Sequence, residues 1–269
     1  MSLSPVVAAP PPPRPTDEEE DDDIGGKMSF LEHLDELRRR IIRSLIAVFV
    51  GFLVAFAFIE RIFRFIMEPL QAVLPDGGRL IYTEPAEAFI LWLKVAALVG
   101  LILALPALLW QAWAFIAPGL YANEKRLAIP FVVSGTFFFV CGALFSHYVV
   151  FPAAWAFFAG FSTDYMEFTP RIAPVFSLYV RMALGLGAVF QIPTVVMFLA
   201  RVGLVTPGLL ARNIKYALLG VFVVAAVITP GSDPLSQFLV ALPMMGLYIL
   251  SIGIAWVFRR RPKAPVADD

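Results

Sequence analysis

Cysteine, histidine and charge are all scarce in this chain, and each shortage removes a class of function. The single cysteine, Cys141, stands inside an apolar run, so neither an internal disulfide nor a cysteine-rich metal site can form; it reads as a small apolar filler. The two histidines, His33 and His147, lie at the ends of different apolar runs, and there is no His-Glu-x-x-His pair and no Gly-x-Ser-x-Gly elbow. Asp and Glu fall almost wholly between the apolar runs, which leaves no paired-carboxylate centre inside them. No catalytic residue, metal or cofactor is expected, and the chain reads as a binder, not an enzyme. Only 16% of the residues are charged. The formal net charge of zero hides an uneven layout, so it says nothing of acidic substrates, and no nucleic-acid partner is expected.

What the chain has in abundance is hydrocarbon. Apolar residues make up 59% of it, and the mean hydropathy is +0.80, far from the balance of a water-soluble domain. The expected fold is all-α: a polytopic membrane protein with six transmembrane helices. Residues 1–27 hold Pro10 to Pro13 and the acidic run Asp17 to Asp23, which leave no apolar core for a signal peptide and predict a disordered cytoplasmic tail. The six-helix domain is expected over 28–261, and a short cytoplasmic tail over 262–269.

The domain opens with Phe30, Leu31, Leu34 and Leu37 on one side of an interfacial helix. Spans follow at Ile41 to Ile59, Ala88 to Trp110 with a kink near Pro106, Leu127 to Phe151, Val175 to Ala200, Tyr216 to Ile228 and Leu235 to Phe258. The fifth is short, about 20 Å of helix. Residues 60–87, with short amphipathic pieces, and 151–174 read as external loops. The segments placed inside hold Lys27, Arg38, Arg39, Arg40, Arg43, Lys125, Arg126, Arg201, Arg212, Lys215, Arg259, Arg260, Arg261 and Lys263, against only Arg61, Arg64, Arg79 and Arg171 outside. That bias puts both termini in the cytoplasm. No internal repeat of the kind many transporters carry is visible.

Several polar residues need a reason. Between the second and third spans, Pro118 and Gly119 stop one helix, Asn123 can cap the next, and Glu124 falls in its first turn at the water boundary. Glu36 can pair locally with Arg39 or Arg40 at helical spacings of three and four, or be held for a ligand. Within the spans stand Lys94, Arg181 and Gln191, where charge and polarity are costly. Lys94 can snorkel to the interface, and Arg181 can face a polar cavity or meet an external carboxylate. Gln191 can turn to the carbonyl of Val189, freed because Pro193 has no N–H, or line a polar concavity. Asp233 suits a tight outer turn.

One stretch carries a resemblance. Trp113-Ala-Phe-Ile-Ala-Pro-Gly-Leu-Tyr121 followed by Glu124 resembles the first cytoplasmic loop of the TatC family, the signal-receptor subunits of the twin-arginine protein translocase. Phe30-Leu-Glu-His-Leu-Asp-Glu-Leu-Arg38, Pro69-Leu70, Phe151-Pro152, Phe190-Gln-Ile-Pro193 and Thr229-Pro-Gly-Ser-Asp-Pro-Leu-Ser-Gln237 extend it over roughly 28–261. The resemblance implies that Glu36 and Glu124 bind the paired arginines of export signals, with Arg38, Arg40 and Phe115 in the same site. It implies importance for Pro69, Pro118 and Asp233, and at Gln191 several family members carry glutamate. It further implies TatA-type and TatB-type single-span partners, an oligomeric complex in lipid, the proton-motive force as drive, no cofactor, and a bacterial cytoplasmic membrane. The alternative is a proton-coupled small-solute transporter built round Arg181 and Gln191; an internal repeat or a buried carboxylate would favour it, and neither is visible.

Overall fold

The computed structural model describes residues 30–71, 80–116, 128–163, 165, 168–229 and 234–258; the tails expected over 1–27 and 262–269 lie outside the described residues. Helices follow one another as α1 (Phe30–Ala57), α2 (Ile59–Gln71), α3 (Glu87–Ile116), α4 (Ala128–Phe145), α5 (Phe151–Ala159), α6 (Ile172–Val189), α7 (Ile192–Val202), α8 (Pro207–Arg212), α9 (Ile214–Ile228) and α10 (Pro234–Phe258). A π-helical turn, Ser146–Val150, joins α4 to α5. No strand occurs among the described residues, only an isolated bridge of Ile81 with Arg171.

Five stretches are long and apolar enough to cross a bilayer: Glu32–Ala57, Glu87–Ile116, Ala128–Ala159, Ile172–Val202 and Gln237–Phe258. The sixth, α9, has 15 residues, about 22 Å of helix. All six expected spans are therefore helical, but three differ from their expected outline. The second runs through Pro106 to Ile116. The third continues through the π turn and α5, because Phe151, Ala154 and Trp155 are buried there and make 151–159 part of the packed bundle, not a loop. Pro152 falls in the first turn of α5, where a missing N–H costs least. The fourth breaks at Phe190 and Gln191 into α6 and α7, with Pro193 in the first turn of the second piece.

The chain forms two compact units, residues 1–39 and 40–269. The larger has its core where α2, α3, α5 and α6 meet, with Leu70, Val95, Phe151, Phe176, Met182 and Leu186 fully buried. A smaller cluster of Val196, Ala200 and Ala255 joins α7 to α10. Leu45, Phe49 and Leu53 of α1 are exposed, as hydrocarbon-facing side chains must be. On its other side α1 crosses α3 backbone to backbone: a Cβ on Gly100 would stand 2.5 Å from the nitrogen and 2.6 Å from the Cα of Phe52. Gly51 and Gly100 are the small residues that permit this approach.

Candidate functional site

The last turns of α3 are held rigidly. Trp113 is buried against the rings of Phe131 at 5.1 Å and Phe198 at 5.2 Å, which ties α3 to α4 and α7. Phe115 is half-buried beside it. One turn before Phe115, the Gln111 side-chain carbonyl accepts a hydrogen bond from Arg40 Nη1 at 3.3 Å and so fastens α1 to this end of α3. In the smaller unit, Glu36 is half-buried and Arg38 is exposed, while Arg39 Nε donates to the carbonyl of Asp35 at 3.3 Å. Pro118 and Glu124, which follow α3 in the sequence, lie outside the described residues, and so does Asp233. Pro69 is half-buried near the end of α2, next to the fully buried Leu70.

At the other end of α3 a second polar assembly appears. Glu87, in the first turn, is buried at 8% exposure. Its Oε2 accepts from the amides of Thr83 at 2.9 Å and Glu84 at 3.4 Å, and its Oε1 from the amide of Ala173 at 3.2 Å. Arg171 places a guanidinium nitrogen 3.8 Å from the same carboxylate and also donates to the Thr83 hydroxyl. The Ile81 carbonyl accepts from the amide of Ile172 at 3.0 Å. One carboxylate therefore satisfies two amides of the turn that leads into α3 and an open amide in the first turn of α6, and so fixes the two helices together.

Inside the bundle, Gln191 does not turn back to Val189. Its Nε2 donates to the carbonyl of Gly135 on α4 at 2.7 Å. The break between α6 and α7 puts the side chain against α4, and Gly135 offers its backbone because no Cβ intervenes: one there would meet Leu109 Cδ1 at 2.8 Å and Gln191 Oε1 at 3.2 Å. Lys94 and Arg181 are exposed side chains within spans. Among the described residues neither has a hydrogen-bond or ion-pair partner, so the external carboxylate expected for Arg181 is not found among them. No group of three metal-ligating side chains gathers among the described residues.

A family model described as "Sec-independent protein translocase protein (TatC)" matches residues 32–243. The chain belongs to the TatC family. The TatC protein of Desulforapulum autotrophicum is 44% identical over 235 residues, covering 87% of each chain. That of Koribacter versatilis is 41% identical over 252 residues, 90% of this chain and 92% of the relative. Two crystal structures of a "Twin Arginine Translocase Receptor- TatC" superpose with TM-scores of 0.71 and 0.73 at 35% identity, covering 85% and 83% of this chain and 100% and 99% of theirs. The chain is thus a component of a protein translocase, in a family of membrane receptors and not of enzymes, and the small-solute transporter alternative is displaced.

The sequence reading of this TatC chain missed the Glu87 assembly. Its signal was present: Glu87 is an acid directly before a long apolar run, a position where carboxylates stabilise helix starts. Its partners Arg171 and Ala173 lie more than eighty residues away, beyond any local pattern. Gln111, which receives Arg40, was missed for the same reason.

Proposed function

We propose that this chain is the signal-binding subunit of a twin-arginine translocase in a bacterial cytoplasmic membrane, with both termini and the Glu124 segment on the cytoplasmic face. The observation that carries this reading is the unbroken family match over 32–243, which contains Glu36 and the whole Trp113 to Arg126 motif. The bias of Lys and Arg toward one side supports the orientation. A pair of carboxylates, Glu36 and Glu124, suits a pair of arginines, since each guanidinium offers a planar fork that lysine lacks. Arg38, Arg40 and Phe115 are assigned to signal binding on the family resemblance alone. The family resemblance gives Pro69, Pro118 and Asp233 a supporting role, Pro69 and Asp233 on the outer side, away from the signal-binding face.

Signal binding then recruits TatA-type and TatB-type single-span partners into an oligomeric complex driven by the proton-motive force. Gln191 contributes at the bilayer's depth. Its Nε2 is engaged by Gly135, while Oε1 has no donor among the described residues and the side chain is only half-buried. An inserted helix can present a polar hydrogen to it.

Photocrosslinking from positions 36 and 124, in membranes with a twin-arginine precursor and with its twin-lysine variant, tests the receptor role. The precursor should crosslink at both positions and the twin-lysine variant at neither. Equal crosslinking of the two precursors would overturn the assignment.

A further inference from the structure

Two hollows adjoin between α3 and α6, at the end of the bundle that carries Glu87. One is polar, about 170 Å³, and lined by Glu84, Glu87, Lys94 and Arg171. The other is an apolar cleft of about 440 Å³ walled by Ala97 and Leu101 on α3 and by Val180 and Leu184 on α6. Lys94 and Phe176 line both, so the two form one continuous site. We propose that this site binds one phospholipid with a primary-ammonium headgroup, its phosphate on Lys94 and one acyl chain laid in the cleft.

The order of chemistry along the helix supports this. Lys94 lies seven residues into α3, about 10 Å below Glu87, and Leu101 about 10 Å below Lys94. From the water inward the site presents the exposed carboxylate of Glu84, the Glu87 and Arg171 clamp, the Lys94 ammonium and then apolar side chains, with the Ser177 hydroxyl the one polar group among them and turned to the Ala173 carbonyl. A phospholipid such as phosphatidylethanolamine has the complementary order of ammonium, phosphate and acyl chain.

Lys94 needs an anion. It is a cation on an apolar helix, exposed, with no partner among the described residues, and such a charge is tolerated when it reaches a counter-charge at the interface. Arg171 is committed to Glu87 and Thr83, yet its side chain remains 48% exposed, which leaves guanidinium donors for the same phosphate. The two cations and two carboxylates balance, which favours a zwitterionic headgroup over an anionic one. Glu84 can accept hydrogen bonds from a primary ammonium, whereas the quaternary ammonium of phosphatidylcholine has none to give.

The cleft's volume decides between a lipid and a partner helix. Phe176 of α6, buried at 1% exposure, lines the cleft. A helix with its side chains is about 10–12 Å across and rises about 5.4 Å per turn, so a cleft of about 440 Å³ holds no more than about one turn of it, while a single acyl chain has room there. The site lies at the end of α3 remote from Gln111 and Phe115 and does not depend on the signal-binding proposal.

Native mass spectrometry of the purified full chain, with phosphatidylethanolamine, phosphatidylglycerol and phosphatidylcholine of identical acyl chains, tests the site. Wild type should retain the ethanolamine lipid in clear preference to the other two. Lys94→Gln should weaken that retention about tenfold or more, as expected for one charge-assisted bond, and Lys94→Arg should restore it. Ala97→Trp, on an exposed wall of the cleft, should abolish retention of all three lipids while leaving thermal unfolding unchanged. Equal retention of the three lipids by wild type, or wild-type retention by Lys94→Gln or Ala97→Trp, overturns the proposal; so does displacement of the ethanolamine lipid by a single-span helix crosslinking at position 97.

Discussion

Replacing Gln191 by leucine separates what this side chain does for the fold from what it does for transport. The substitution keeps the size of the side chain and removes one interhelical hydrogen bond, from Nε2 to the Gly135 carbonyl at 2.7 Å. Such bonds within a bilayer average about 0.6 kcal/mol and reach about 1.7 kcal/mol. The loss should stay in that range, because Gly135 lies inside α4, where its carbonyl also belongs to the helix ladder and is not stranded. At about 2–4 °C per kcal/mol for a chain of this size, the melting temperature in detergent should fall by only a few degrees. Signal crosslinking at position 124 should be unaffected. Export of a twin-arginine substrate should fail, because Oε1 is then no longer available to an inserted helix. Export at the wild-type rate would refute the functional role and leave Gln191 as a tie between α4 and the break that separates α6 from α7. A fall in melting temperature far beyond a few degrees would refute the energetic reasoning.

Three further expectations are independent of that one. Gly100→Ala places a methyl group 2.5–2.8 Å from the backbone of Gly51 and Phe52, which cannot yield as a side chain would. Forcing α1 from α3 should cost about 1–3 kcal/mol in thermal unfolding, and an unchanged melting temperature would show that the crossing is looser than the structure has it. Four leucines inserted after Val224 lengthen α9 from 15 residues toward a full bilayer crossing, about 28 Å; if the short helix thins the membrane as part of transport, the variant should insert and fail to export, and full export would make the shortness incidental. Single cysteines at Asn123 and Arg212 should label only from the cytoplasm and ones at Asp76 and Asp164 only from outside, so labelling of position 123 from outside intact cells would reverse the proposed orientation.

The spans were legible because a bilayer demands long apolar runs, and each such run is written consecutively in the chain. Their ends were less so. Residues 151–159 are rich in aromatics, which suit a headgroup belt and a packed helix equally; the burial of Phe151 and Trp155 decides for the helix. The π turn at Ser146–Val150 leaves no mark in the sequence, although it buries His147 with its Nδ1 3.2 Å from the Tyr179 hydroxyl. Pro193 was read as freeing the Val189 carbonyl within one continuous span; the structure breaks that span at Phe190 and Gln191, and a proline on its own helix says nothing about a neighbour. The amide of Gln191 went to α4, where the absence of a Cβ at Gly135 made room. Arg38, Arg40 and Phe115 were singled out by the family motif, and Glu36 both by that motif and by its helical spacing to Arg39 and Arg40. Of these, Arg40 has a described tie, to Gln111, that local spacing did not indicate.

The polar groups within and beside the spans divide into two kinds. Arg40 to Gln111, Gln191 to Gly135, Gln237 Nε2 to the Phe222 carbonyl at 2.9 Å, and the Tyr248 hydroxyl to the Leu210 carbonyl at 2.8 Å each join one helix to another. Helix pairs in lipid lack the hydrophobic drive that packs soluble cores, so such bonds and close glycine crossings do part of that work. Lys94 and Arg181 are different, because they are exposed and nothing among the described residues answers their charge. A cation kept on an apolar helix without an internal partner destabilises insertion unless something outside the chain meets it. For Lys94 the adjoining polar hollow and acyl-sized cleft say what that something is. Arg181 follows Val180 in the sequence but does not line the cleft, so its counter-charge has to come from another side of α6. The polar residues of this bundle thus mark two boundaries, those between its own helices and those where lipid or another chain must complete it.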